Sequence, residues 1–266
     1  MKKYYLSHMT WVEAEEAIKR DPVVLVPIGT TECQGKHLPL GYDHIVAQRL
    51  CEEAAVKCDA VIVPVIPYGE SQKLWGFPGT VTISAETLTA LLFDITDSLL
   101  KLGFTHIVFV NNHDPNKPPL DAALAKIRDK YGRVFPALWP TELARVFAKK
   151  YLDNPAEKLM HGNEPGTSLC MYLCPEWVRT DLIEGGRELN ETVRLGELDF
   201  SPSGFGFMLN GLKTPYGIRL HDYCPQGCFG KADGSAEIGK KVFDDMVDYL
   251  AELAAKFRTV DNLLGR

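Results

Sequence analysis

Two carboxylates and one imidazole, far apart in the chain, stand where a protein could grip a cation. Glu32 comes just past a first apolar run, Asp43 opens the helix pattern that follows, and His113 ends "VFVNNH" just past a later apolar run. Two carboxylates with one imidazole suit a divalent zinc, manganese or iron ion and leave coordination positions open for water and substrate. Each residue also has a plainer explanation. Asp43 could cap a helix by accepting backbone N–H bonds, Glu32 could be a solvated loop acid, and His113 could be a hydrogen-bonded turn residue. Convergence of all three on one rim favours the cation.

That convergence needs a scaffold. "VVLVPI" (Val23 to Ile28) is a nearly unbroken apolar run, the pattern of a strand buried on both faces. "AVIVPVI" (Ala60 to Ile66), "HIVFV" (His106 to Val110) and "RVFPAL" (Arg133 to Leu138) repeat it, with helical periodicity over Asp43 to Lys57 and Ser84 to Leu102. Alternating β and α elements predict a layered α/β/α fold around a short, mostly parallel sheet with right-handed crossovers. In such sheets ligands gather beyond the carboxyl ends of the strands, where all three candidate ligands fall. Past Tyr151 the regularity fades: Gly166 to Leu173 reads as a helix start, Ser201 to Gly217 as Gly- and Pro-rich loops over the site, and Ala232 to Phe257 as a helix.

The chain has 266 residues and 45% hydrophobic content, enough for one large domain over residues 1–266. With 29 Lys and Arg against 35 Asp and Glu, and no basic cluster, the charge of -6 argues against nucleic acid as a partner. The polar N-terminal segment lacks a secretory core, and no run approaches the roughly 18 apolar residues of a membrane span. Seven cysteines, an odd count, fit a reducing, cytoplasmic setting.

"GTTECQGKH" has five residues between its glycines and no Ser or Thr after Lys36, so it is not a phosphate loop. Cys170 with Cys174 and Cys224 with Cys228 have spacings a zinc site could use, but "LCMYLC" reads as a core helix face. Trp75, Phe77 and Trp139 are candidate walls for a flat ring, with core packing an equal alternative.

The stretch Gly29 to Asp43, "GTTECQGKHLPLGYD", resembles the creatininase (creatinine amidohydrolase) family, whose members carry a motif like G-S-x-E-Q-H-G-x-H-L-P-L-x-x-D. Four further blocks follow in the family's order. "PYGESQKLWGFPGT" is similar to P-Y-G-x-S…F-P-G-T, "NNHDPN" to N-G-H-G-G-N, "HGNEPGTS" to H-A-G-E-x-E-T-S, and "GCFGKADGSAEIG" to the closing G-x-x-G-x-x-x-x-A-x-x-E-x-G. The resemblance implies an α/β fold around a short parallel sheet, a metal centre, ring-opening hydrolysis of small cyclic amides and a hexamer of identical chains.

The departures carry information too. Family members usually hold two ions bridged by the motif's aspartate, one using the glutamate and the later histidine, the other the E-Q-H histidine and further glutamates. Those last positions are Gln34, Pro115 and Gly166 here. Glu32, Asp43 and His113 remain, so one ion per chain is expected, with zinc first and manganese or iron as alternatives. His37, His161 and Glu164 also match the family's pattern and are the candidate proton-transfer or substrate groups.

The expectation is a cytoplasmic, metal-dependent hydrolase that opens a small cyclic polar substrate, a cyclic amide or a cyclic ketone such as a keto-inositol, with a metal-activated water. The rival readings are a ligand-binding protein without turnover, or an isomerase or lyase using the same ion.

Overall fold

A computed structural model describes residues 3–186, 193–195, 198–202, 207–209, 212–214, 219–230 and 232–263. Four parallel strands carry the centre: β1 (Val23–Ile28), β2 (Val61–Ile62), β3 (His106–Asn111) and β4 (Ala137–Leu138), in the order β2-β1-β3-β4. Every residue of β1 and β3 is buried, which is why both read as continuous apolar runs. They pair along their whole length, from Val23 opposite His106 to Ile28 opposite Asn111, so their carboxyl ends finish level and deliver Glu32 and His113 to one edge.

The outer strands are shorter than expected. β2 covers only Val61–Ile62, because Pro64 and Pro67 withdraw ladder donors; pairing resumes at the bridge between Ile28 and Ile66. Pro27, inside the central β1, is accommodated by that interruption. Leu25 O accepts from Val63 N and Pro27 O from Ile66 N, so its missing N–H faces the gap between them. β4 is reduced to Ala137–Leu138.

Two helical groups close the core over the sheet. α1 (Trp11–Lys19) opens with a Thr10–Glu13 capping box. α3 (Ala85–Leu102), capped by Ser84, packs on α4 (Lys117–Tyr131). α2 (Tyr42–Cys58), α5 (Pro140–Ala148) and α7 (Gly166–Leu173) pack against the long α8 (Ala236–Phe257), with the single turn α6 (Pro155–Lys158) between α5 and α7. α8 buries Val242, Phe243, Met246, Leu250 and Ala254 along one stripe. Gly239 lets it cross α7 at backbone contact: a Cβ there would lie 1.9 Å from Ser168 O.

A second sheet corrects the expectation of loops between residues 201 and 217. β5 (Val193–Leu195), β6 (Leu198–Pro202), β7 (Phe207–Leu209) and β8 (Leu212–Thr214) form an antiparallel sheet in chain order. Its strands are too short and too broken by glycine and proline to show alternation in sequence. Residues 203–206, 210–211 and 215–217 of that stretch lie outside the described residues, as does Lys231 of the closing motif. No helix among the described residues is long and apolar enough to cross a membrane.

Where β1 runs into its loop, Gly29 touches the first turn of α2. A Cβ at this position would stand 2.3 Å from His44 N and 2.6 Å from Asp43 C, inside the backbone. Gly29→Ala is therefore expected to push α2 off the sheet and cost on the order of 2 kcal/mol, read as a lower urea midpoint with unchanged slope.

Candidate metal centre

Glu32, Asp43 and His113 each present a ligand atom, and these atoms all lie within 4.8 Å of one another. They come from three places: the loop after β1, the first turn of α2 and the second residue after β3. Asp43 does not cap its helix. Gly41 holds the N-cap position, one residue before α2 begins, and the Asp43 carboxylate turns inward at 4% exposure.

His113 is prepared as a ligand by its own neighbours. Nε2 is 2.7 Å from Glu70 O, an acceptor only, so it carries the proton and donates it. Nδ1, 3.4 Å from Asp43 Oδ2, is the nitrogen whose proton an ion would replace. A backbone carbonyl that fixes the tautomer of an imidazole is the usual support for a metal-ligating histidine.

Both carboxylates are braced at each oxygen. Gln34 Nε2 donates to Glu32 Oε1 at 3.1 Å and to Asp43 Oδ2 at 3.2 Å. Ser71 Oγ donates to Glu32 Oε2 at 2.8 Å, and Asn112 Nδ2 to Asp43 Oδ1 at 3.3 Å. Asn116, wholly buried, ties the three loops together: Nδ2 donates to Gly29 O and Asn111 Oδ1, while Oδ1 accepts from Glu70 N.

Electrostatics favours a cation here. Burial pushes the Glu32 carboxyl up to about 8, against the pull of His113, and also raises Asp43. Burial alone would lower His113, but Glu32 and Asp43 outweigh it and hold the imidazole at about 9. The trio thus clings to protons that a divalent ion would replace, and its donor set of two carboxylate oxygens and one imidazole nitrogen fits zinc or manganese.

The cleft over the trio is also walled by Gln34, Tyr42, Thr141, Arg145, His161 and Glu164. His161 donates from Nε2 to Cys33 O at 3.0 Å, and burial drops its pKa to about 4, so it is a neutral imidazole at neutral pH. Glu164 is 1% exposed. Its Oε2 accepts the Ser168 N–H of α7 at 3.3 Å, Oε1 has no hydrogen-bond partner among the described residues, and burial raises its pKa.

His37 is not on the cleft wall. Its Nε2 lies 2.9 Å from Thr167 Oγ1, a hydroxyl that itself donates to Asn163 O, so the imidazole donates and pins the start of α7. Trp75, Phe77 and Trp139 also lie off the wall, and no thiol cluster among the described residues could hold a metal. The sequence does not reveal the bracing role of Gln34, Ser71 and Asn112, although all three sit inside recognisable motifs. Nor does it reveal Thr141 and Arg145, which carry no motif.

Residues 7–254 match the creatininase (creatinine amidohydrolase) family. The chain belongs to the creatininase family. It is 36% identical over 184 residues to the mycofactocin precursor peptide peptidase of Mycolicibacterium smegmatis, covering 66% of each chain, so it spans just under two thirds of that relative. It is 26% identical over 274 residues to the 3-dehydro-scyllo-inosose hydrolase of Thermotoga maritima, covering 94% of this chain and 82% of the relative. A solved mutant creatininase described as the Zn-Zn type superposes with a TM-score of 0.76 at 21% identity, over 98% of this chain and all of that one, and so shares its fold. Membership thus places the chain among hydrolases whose named substrates differ widely.

Because an incoming ion must displace protons from His113 and Glu32, both held on below about pH 8, its affinity is expected to rise with pH. The slope approaches about tenfold per pH unit for each proton released. Competition for zinc against a chromophoric chelator at pH 6, 7 and 8 measures this; a flat profile would mean that the ion binds elsewhere.

Proposed function

We propose that the protein is a metal-dependent hydrolase that uses one divalent ion per chain, zinc first, to cut an amide or carbon–carbon bond beside a carbonyl in a small, polar, cyclic substrate. The observation that carries this is the meeting of Glu32, Asp43 and His113 in a cleft that also holds His161 and Glu164. A cation held there supplies Lewis acidity toward a carbonyl and lowers the pKa of water.

The chain's own residues supply the rest. Glu164 can hold or release a proton at Oε1, the oxygen without a partner, while Ser168 N–H fixes the other oxygen. His161, neutral and anchored through Nε2 to Cys33 O, presents a rigid imidazole to the cleft. His37 acts at one remove, by holding Thr167 and with it the turn that carries Glu164.

The single-ion reading rests on Gln34. Its neutral amide donates N–H bonds to both carboxylates where the resemblance would place a second cation and its histidine. Pro115 and Gly166 offer no ligand atoms, and a side chain at Gly166 would run into the Tyr42 ring, 3.2 Å from the nearest atom.

A linear peptide amide is the second reading, favoured by the name of the relative at 36% identity; product analysis separates it from ring opening, which adds water without splitting the molecule in two. The remaining expectations belong to the same proposal: one domain from length and hydrophobic content, a cytoplasmic setting from the odd cysteine count, and assembly with copies of itself from family resemblance.

Elemental analysis of the purified protein is expected to give one equivalent of a divalent metal per chain. Asp43→Ala should abolish that equivalent and lower turnover by about 10³-fold. Two equivalents in the wild type, or wild-type turnover in the variant, would refute the mechanism. Glu164→Gln is expected to keep the ion but lose about 10²- to 10⁴-fold in kcat; loss of the ion as well would reassign Glu164 to the metal site.

A further inference from the structure

We infer that the cleft contains a carboxylate-binding subsite built on Arg145, so that the molecule hydrolysed there carries an acidic group close to the bond that is cut. This deepens the metal-centre reading and rests on it.

Arg145 and Thr141 lie one turn apart on α5, and both reach the cleft wall. Thr141 Oγ1 donates to Asn112 O at 2.8 Å, and Asn112 in turn holds Asp43 Oδ1. The face that presents Arg145 is thereby tied to a metal ligand, and a group bound by the guanidinium would sit at a fixed distance from the ion.

Among the described residues, no hydrogen bond to Arg145 Nε and no close carboxylate satisfies that guanidinium fully. Arg145 Nε is buried and has no hydrogen-bond partner among the described residues. The carboxylate recorded near it, Asp114 Oδ2, lies 3.9 Å from Nη1, beyond hydrogen-bond reach. Asp114 is already served by Lys117, 3.0 Å from its other oxygen. Buried N–H groups almost always find an acceptor, and one left over on the wall of a ligand cleft marks where a ligand's acceptor goes.

The planar fork of donors on Arg145 matches the two oxygens of a carboxylate. One guanidinium balances a monoanion, which favours a carboxylate over a phosphate dianion.

The test uses the zinc-loaded full chain and monohydroxamates of malonic, succinic and glutaric acid, each paired with its carboxamide-terminated counterpart. The hydroxamate seeks the ion, the spacer varies the reach, and the pair isolates the negative charge. At least one acid is expected to bind the wild type about tenfold or more tightly than its amide by calorimetry. Arg145→Gln and Arg145→Met should reduce that ratio to within about twofold and leave the amide's affinity unchanged, with metal content and Tm as controls for folding; Arg145→Lys should retain part of the preference. No preference for any acid in the wild type, or a preference that survives Arg145→Gln, overturns the subsite while leaving the metal centre standing. Equal binding to metal-free protein would instead remove the metal centre, and this inference with it.

Discussion

Two carboxylates taken out of water side by side set the terms for everything around them. Glu32 and Asp43 are almost completely buried, and an ionised acid in such surroundings survives only when paired, hydrogen-bonded or matched by a cation. The fold answers with a donor for each of their four oxygens and an imidazole between them. The supports come from widely separated segments: Gln34 from the same loop, Ser71 from the segment after β2, Asn112 from the end of β3. The parallel sheet exists, in functional terms, to bring those segments to one edge.

Within the creatininase family, this chain brings Glu32, Asp43 and His113 together and carries Gln34, Pro115 and Gly166 beside them. Gln34 keeps the hydrogen-bonding demands of both acids satisfied, and Tyr42 fills the space facing Gly166. On the single-ion proposal, neutral groups that fit one another stand where the resemblance would place the ligands of a second ion.

Much of this was legible in the sequence where burial leaves a simple pattern. The bounds of β1 agree to the residue because a strand covered on both faces is an unbroken apolar run, and Glu32, Asp43 and His113 could be chosen because strand ends locate a ligand crevice. β2 was over-extended, since Pro64 and Pro67 look apolar yet cannot donate. The antiparallel strands between residues 193 and 214 were missed because three-residue strands leave no periodicity. His37 was expected at the reacting centre, yet it braces α7, a distinction between two buried histidines that only distances reveal. Arg145 was invisible for the opposite reason: a lone basic residue on an amphipathic helix reads as a solvated face.

Asn116 links the backbones of three loops by hydrogen bonds that owe nothing to any ion. The coordination geometry is therefore largely built before a cation arrives, and little ordering entropy is left to be lost at the moment of capture. A rigid pocket of mixed oxygen and nitrogen donors ranks first-row metals mainly by their intrinsic preference and their abundance. Which element fills it would then be decided by metal supply more than by the protein.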